Sequence, residues 1–241
     1  MDKCHICGNK NLLALKFPRN FKFIFSNSKP AKDNKIISFC NSCNLSVTII
    51  SEKFKKEINK NYINYLDNND DHSDLKVFNK QSDGLNRTSL IINYLKNFVD
   101  LKKQNKVIDI GAGNGNLIYE LSKYNQLNIN AFDISSKNKN KLKNLNGFNN
   151  FYSDSIDTIK GEYDLVILSH VIEHIVSPKD FLEKIKKIIK KNKFIFFQLP
   201  DLINKPFDYF LYDHVTNFSL SSFEYLLKSV GYEVVHISNS L

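Results

Sequence analysis

The chain has 241 residues, 42% of them hydrophobic and 24% charged, a globular composition long enough to bury a full core, which excludes global disorder. No run of eighteen apolar residues occurs, and the opening Met1-Asp2-Lys3-Cys4-His5 has no apolar stretch of the secretory kind, so a membrane span is excluded and a cytoplasmic protein is expected. The formal charge of +9 comes from 32 Lys and 2 Arg (Arg19, Arg87) against 25 acids, beside 32 Asn; such a Lys/Asn bias argues against an Arg-rich surface built to read nucleic acid.

All four cysteines fall in two equal pairs, Cys4-x-x-Cys7 and Cys40-x-x-Cys43. Two residues between thiolates let both sulfurs reach one tetrahedral ion, and two such knuckles complete a closed Cys4 site; disulfides, which four cysteines could form in three ways, lack an oxidising compartment. Structural Zn2+ on Cys4, Cys7, Cys40 and Cys43 is therefore expected, with Gly8 and Asn44 supplying the turns. Phe17, Phe21, Phe23 and Phe25 suggest a hairpin-like aromatic segment, and Ser46 to Ile50 a strand. The chain thus divides into a zinc-binding module over 1–50, a linking helical segment over 51–84 and a larger domain over 85–241.

From about residue 84 helices alternate with short buried strands. Helix at about 86–100 precedes strand 106–110, helix 116–124, strand 127–133, helix 135–144, strands 148–153 and 163–168, helix 178–191 and strand 194–199. This order predicts an α/β fold with a doubly wound, mostly parallel sheet covered on both faces. Ser177-Pro178 reads as a helix start, Ser221-x-x-Glu224 as a capping box for a last helix ended by Gly231, and the Lys-rich run 184–193 as the solvent face of the helix before it.

Three of the eight glycines lie in Val107-Ile-Asp109-Ile-Gly111-Ala112-Gly113-Asn-Gly115, between a strand and a helix. The spacing is GxGxG, not the GxGxxG of a nicotinamide fingerprint, since position 116 is Asn. This segment resembles the first motif of class I S-adenosylmethionine-dependent methyltransferases, whose Rossmann-like fold the rest of the chain follows over about 85–240. The resemblance implies that Asp109 and the Gly111, Ala112, Gly113 and Gly115 loop shape the cofactor site. It implies that Asp133, with Ile134 beside it, accepts both ribose hydroxyls, that Asp154 and Ser155 meet the adenine, and that Ser169 and His170 line the methionine end. His170-x-x-Glu173-His174 also spells a zinc-peptidase pattern, but its place after a buried parallel strand argues against that reading.

The zinc module joined to this core resembles a narrower group, bacterial sugar methyltransferases with an N-terminal zinc-binding domain. Cys-x-x-Cys-Gly, the tyrosines Tyr62 and Tyr65, and Asp213-His214 before Phe218-Ser219 carry the likeness. It implies a nucleotide-linked sugar as substrate, His214 as base, and Asp213 and Tyr65 as its helpers. The group has Glu where this chain has Asp213, and its tyrosine two positions earlier is here Leu211, with Tyr212 displaced by one. An RNA methyltransferase and a non-catalytic zinc module are the competing readings. A single final strand, 233–238, without the family's closing hairpin suggests either a shortened chain or a sheet edge completed elsewhere.

Overall fold

A computed structural model describes every residue except 1, 2, 5, 19, 69–75, 78–83, 104 and 239–241, with backbone only for 62–68 and 77. The chain forms two compact units. The first comprises Met1–Tyr65, His170–Glu183 and Leu199–Val235; the second, Leu66–Ser169, Lys184–Gln198 and His236–Leu241. This division differs from breaks at 50 and 84, because the chain twice returns from the second unit to the first.

In the first unit β1 (Leu12–Ala14), β2 (Ile37–Cys40) and β3 (Leu45–Thr48) form an antiparallel sheet, followed by α1 (Glu52–Asn68). The sheet's fourth strand arrives from far along the chain: β11 (Thr216–Asn217) pairs antiparallel with β3, Thr216 opposite Val47. Phe23, Phe25, Ile37, Phe54, Tyr212 and Val215 pack as its core, with the Tyr212 ring 4.8 Å from Phe54 and 5.1 Å from Phe25. Aromatic rings at such spacing add to the area they bury. The expected strand at 46–50 is β3.

The second unit contains β4 (Lys76–Val77), β5 (Leu85–Asn86), α2 (Arg87–Leu95), β6 (Asn105–Ile110), α3 (Asn116–Leu121), β7 (Leu127–Phe132), α4 (Lys139–Leu142), β8 (Phe148–Tyr152) and β9 (Tyr163–Ser169). After β9 come α5 (Pro178–Lys186) and β10 (Ile189–Gln198), and α6 (Leu220–Ser229) follows β11. The main sheet has the order β10-β9-β6-β7-β8 and every pairing is parallel, the doubly wound arrangement expected. Val107, Ile108, Ile110, Ile129, Ala131 and Leu165–Leu168 are all buried, as strands covered on both faces require. Strand order reverses between β6 and β9, and in such sheets ligands gather outside the carboxyl ends at that point.

Several local expectations shift. The Lys-rich run is not one helical face: α5 ends at Lys186, and Lys190 and Lys193 lie on β10, 2.9 and 3.4 Å from the Asp164 carboxylate on β9. The capping box falls two residues earlier, with Ser219 N–H on Ser222 Oγ (2.9 Å) and Ser222 N–H on Ser219 Oγ (3.3 Å). Residues 233–238 form no strand. Gly147, before β8, has φ 72°, and a Cβ there would lie 2.4 Å from the Leu127 carbonyl oxygen. Gly147→Ala is expected to lower stability by about 2 kcal/mol, measured by urea unfolding; an unchanged midpoint would show that β8 shifts freely.

Candidate active site

The loop after β6 is built from left-handed backbone. Gly111, Gly113 and Gly115 have φ of 79°, 52° and 81°, values costly for any residue with a Cβ. The N–H groups of Gly111 and Ala112 both donate to the Phe132 carbonyl at the end of β7, at 2.8 and 3.1 Å, which pins the loop to the neighbouring strand. A Cβ on Gly115 would strike Leu142 of α4 at 2.4 Å, whereas at Gly113 it would meet nothing nearer than the Gly111 carbonyl at 3.9 Å. Gly115 thus serves packing, and Gly113 leaves open space above the loop.

Asp133 is buried and accepts from Gly113 N–H (2.8 Å) and Ser135 N–H (3.0 Å), while Asn138 Nδ2 donates to the Gly113 carbonyl at 2.8 Å. Asp133 and Asn138 therefore grip both polar groups of Gly113. Asn138 escaped the sequence reading, since nothing local to it marks a loop 25 residues away. Asp109 lies buried at the end of β6, just before this loop.

Burial and the neighbouring Asp133 carboxylate push the Asp109 carboxyl up to about 7, against the opposing pull of Arg87. Arg87, the first residue of α2, was likewise not singled out by its sequence context. A raised carboxyl pKa contributes stability that is complete below the unfolded value of 3.8 and is lost as pH rises through about 7. Asp109→Asn is therefore expected to flatten the pH dependence of stability between these values. The variant should be more stable than the parent at pH 8 by about 1–3 kcal/mol; parallel melting curves across that range would refute this.

The carboxyl ends of the other strands carry the remaining expected cofactor residues. Ile134 is exposed beyond β7. Asp154, after β8, has φ 70° and accepts from Ser153 Oγ (3.1 Å), and Ser155 caps the 3₁₀ turn Ile156–Thr158 by accepting Asp157 N–H at 3.2 Å. Ser169 ends β9 and donates to Gln198 Oε1 of β10 at 2.7 Å. Asp154, Ser155, Asp133, Ile134, the glycine loop and Ser169 thus follow consecutive carboxyl ends of one sheet.

In the first unit a second group assembles. His214 is buried, and its Nδ1 lies 2.5 Å from Asp208 Oδ1; Asp208 sits in the 3₁₀ turn Pro206–Phe210. Asn217 of β11 donates to Asp208 Oδ2 at 2.6 Å. The acid against His214 is therefore Asp208, not Asp213. Asp213 turns away and accepts from Ser26 N–H (3.0 Å) and Ser26 Oγ (2.8 Å), because adjacent side chains leave the backbone in different directions. Burial pulls the His214 pKa down, but Asp208 outweighs it and leaves the ring above its ordinary value.

The His174 ring stands edge-on to His214, 4.7 Å between centroids; its Nδ1 meets the Asp213 carbonyl at 3.0 Å. His170, with φ 55°, places Nδ1 3.1 Å from Glu173 Oε1. Lys35, buried and pulled down to about 7 by that burial against Asp208 and Asp213, donates to the carbonyls of Leu211 and His214 and so fixes the loop that aims His214. Tyr65 lies in α1, and its side chain, like that of Tyr62, is outside the described residues.

The four cysteines form the third group. Their sulfurs lie within 4.8 Å of one another, with Cys4 and Cys43 3.7 Å apart and Cys7 and Cys40 3.5 Å apart. The two knuckles are the same turn: Gly8 N–H donates to the Cys4 carbonyl and Asn44 N–H to that of Cys40, both at 2.9 Å, with φ of 75° and 54°. Cys43 holds the Cys4 thiol down to about 4 while its own is pushed up, the mark of sulfurs too close to ionise together without a cation. The donor set fits a tetrahedral soft-ligand ion.

A glycine loop at the switch point of a doubly wound sheet, with acids after the next two strands, defines a nucleotide-type cofactor fold. A family model described as a methyltransferase domain matches residues 78–237. The chain belongs to that methyltransferase-domain family. It is 31% identical over 94 residues to the ribosomal protein L11 methyltransferase of Campylobacter fetus subsp. fetus (strain 82-40), a match covering 37% of this chain and 34% of that protein. The chain thus spans about a third of the length of the curated relative it matches. Its fold is similar to coclaurine N-methyltransferase bound to N-methylheliamine and SAH (TM-score 0.51, 19% identity, 74% of this chain and 64% of that one). It is also similar to a chain of the complex of the Haloferax volcanii Trm112 methyltransferase activator with a methyltransferase (TM-score 0.51, 13% identity, 76% and 77%). Among the described residues no helix is long and apolar enough to cross a membrane.

Proposed function

We propose that this methyltransferase acts on a small molecule, a nucleotide-linked sugar or another precursor of surface glycan, at its carbon or oxygen. The observation that carries the reading is the buried His214–Asp208 pair, 2.5 Å apart, in the same unit as the four-cysteine cluster. Methyl transfer to a neutral carbon acid or hydroxyl requires a group that handles a proton, and an imidazole fixed through Nδ1 by a carboxylate suits that task. Methylating a nucleic acid would draw instead on a contiguous basic surface.

Bound S-adenosylmethionine supplies a methyl group on a positively charged sulfur. In this reading Asp133 exchanges its backbone partners for the ribose diol, which a carboxylate can hold with both oxygens. Ile134, Asp154 and Ser155 border the adenine, Gly111 to Gly115 give the backbone room, and Ser169 and His170 border the methionine end. Cys4, Cys7, Cys40 and Cys43 hold a structural Zn2+ whose closed shell leaves no position for chemistry. A nucleotide sugar and S-adenosylmethionine are both met in the cytoplasm, which supports a cytoplasmic location for the reaction proposed.

The test begins with the melting midpoint of the protein alone and with S-adenosylmethionine, S-adenosylhomocysteine or NAD. A ligand that binds only the native state raises it. A rise with the two sulfur compounds and none with NAD is expected, followed by methyl incorporation into members of a nucleotide-sugar panel. Incorporation into RNA, with the sugars inert, would overturn the substrate reading.

A further inference from the structure

The 3₁₀ turn Ile172–His174 and the loop before β11 bring together three ligating groups that the methyltransferase fold does not need. One ligand atom from each of Glu173, His174 and His214 lies within 4.8 Å of the others. Glu173 is 1% exposed, yet its Oε2 is buried and makes no hydrogen bond among the described residues. An unpaired carboxylate oxygen in such a place is costly unless something positive meets it. The structure thus has an unmet demand at this point.

The two imidazoles are oriented as ligands are. A metal-binding histidine characteristically commits its second ring nitrogen to a carboxylate or a backbone carbonyl. Here His214 Nδ1 is committed to Asp208 and His174 Nδ1 to the Asp213 carbonyl, so Nε2 is the atom each ring has left to offer. Asp208 is itself held by Asn217, and His170 holds the other oxygen of Glu173. Two imidazoles and one carboxylate suit a first-row divalent ion and leave coordination positions open.

We propose that Glu173, His174 and His214 bind one divalent transition-metal ion, distinct from the ion of the cysteine site, whose open positions take an oxygen of the acceptor. This deepens the reading of His214 as the place where the acceptor's proton is handled, and in its link to the acceptor it rests on that reading. His214 then acts as a ligand, and the cation lowers the acidity barrier of the bound oxygen.

The test uses protein carrying a single Zn2+ per chain and Mn2+, a hard ion that does not displace zinc from thiolates. Bound Mn2+ is counted by loss of the free-ion electron paramagnetic resonance signal. One Mn2+ per chain is expected. Glu173→Gln and His174→Ala should abolish it, and Asp208→Asn, which touches no ion, should weaken it about 10–100-fold. Each variant must keep the parent's melting midpoint and S-adenosylhomocysteine affinity. Absence of Mn2+ binding in the parent, or equal binding in folded Glu173→Gln, overturns the proposal. Binding needs neither acceptor nor methyl donor, so its failure leaves the methyl-transfer reading standing with His214 as a direct base. Conversely, inert acceptors would leave the binding result intact.

Discussion

His214→Ala is expected to reduce turnover by about 10²–10⁴-fold while S-adenosylhomocysteine binding stays within about twofold of the parent. The separation follows from the two units. His214, Asp208 and Asn217 lie in the first, and the glycine loop with Asp133 in the second. Asp208→Asn should follow His214→Ala in direction, since it removes the carboxylate that sets the ring's orientation, whereas Asp213→Asn should have the smaller effect because Asp213 is engaged with Ser26. Steady-state kinetics with labelled methyl donor, beside calorimetric titration of the product, decides the matter. Undiminished turnover in His214→Ala would remove the residue from the reaction.

Removing the Zn2+ we propose at the cysteine site, by chelation or by Cys40→Ser, should unfold the N-terminal sheet. Structural zinc contributes about 10–16 kcal/mol in isolated zinc-finger peptides, and a whole domain's stability is only about 5–15 kcal/mol, so loss of the ion outweighs what the small aromatic core retains. β2 ends at Cys40, β3 begins at Leu45, and β3 pairs with β11 at Thr216, two residues beyond His214. Damage at the knuckle therefore reaches the loop that carries the imidazole. Lost turnover, lost zinc and early proteolysis of the N-terminal residues are expected together, with S-adenosylhomocysteine binding preserved. A Cys40→Ser protein free of zinc that resists protease like its parent would make the ion dispensable.

The parallel sheet was legible because Val107–Ile110 and Tyr163–Leu168 are apolar at nearly every position, the signature of strands buried on both faces. The glycine loop was legible because three left-handed positions in five residues demand glycine. The boundary between α5 and β10 was not. Ile185, Ile188 and Ile189 follow a helical spacing, but pairing of Ile189 with Tyr163 begins β10 there, and Asp164 draws Lys190 and Lys193 onto the strand. Asp208 was hidden for another reason. It reaches His214 through a 3₁₀ turn of Pro206–Phe210, and no periodicity announces a side chain aimed six residues ahead. The Glu173–His174 step was visible as a motif, but its third member, His214, joins it only through the fold: Val215 N–H donates to the Glu173 carbonyl at 2.8 Å.

The pairing of β3 with β11 also sets a schedule for synthesis. Residues 1–65 are made well before β11, so their sheet lacks its fourth strand, and their core lacks Tyr212 and Val215, until translation has passed Asn217. The five strands of the parallel sheet lie between these segments and can pair while translation continues. The antiparallel sheet is thus completed only after those strands, and a nascent chain stalled before residue 216 would present an open strand edge, a surface prone to pairing with other chains.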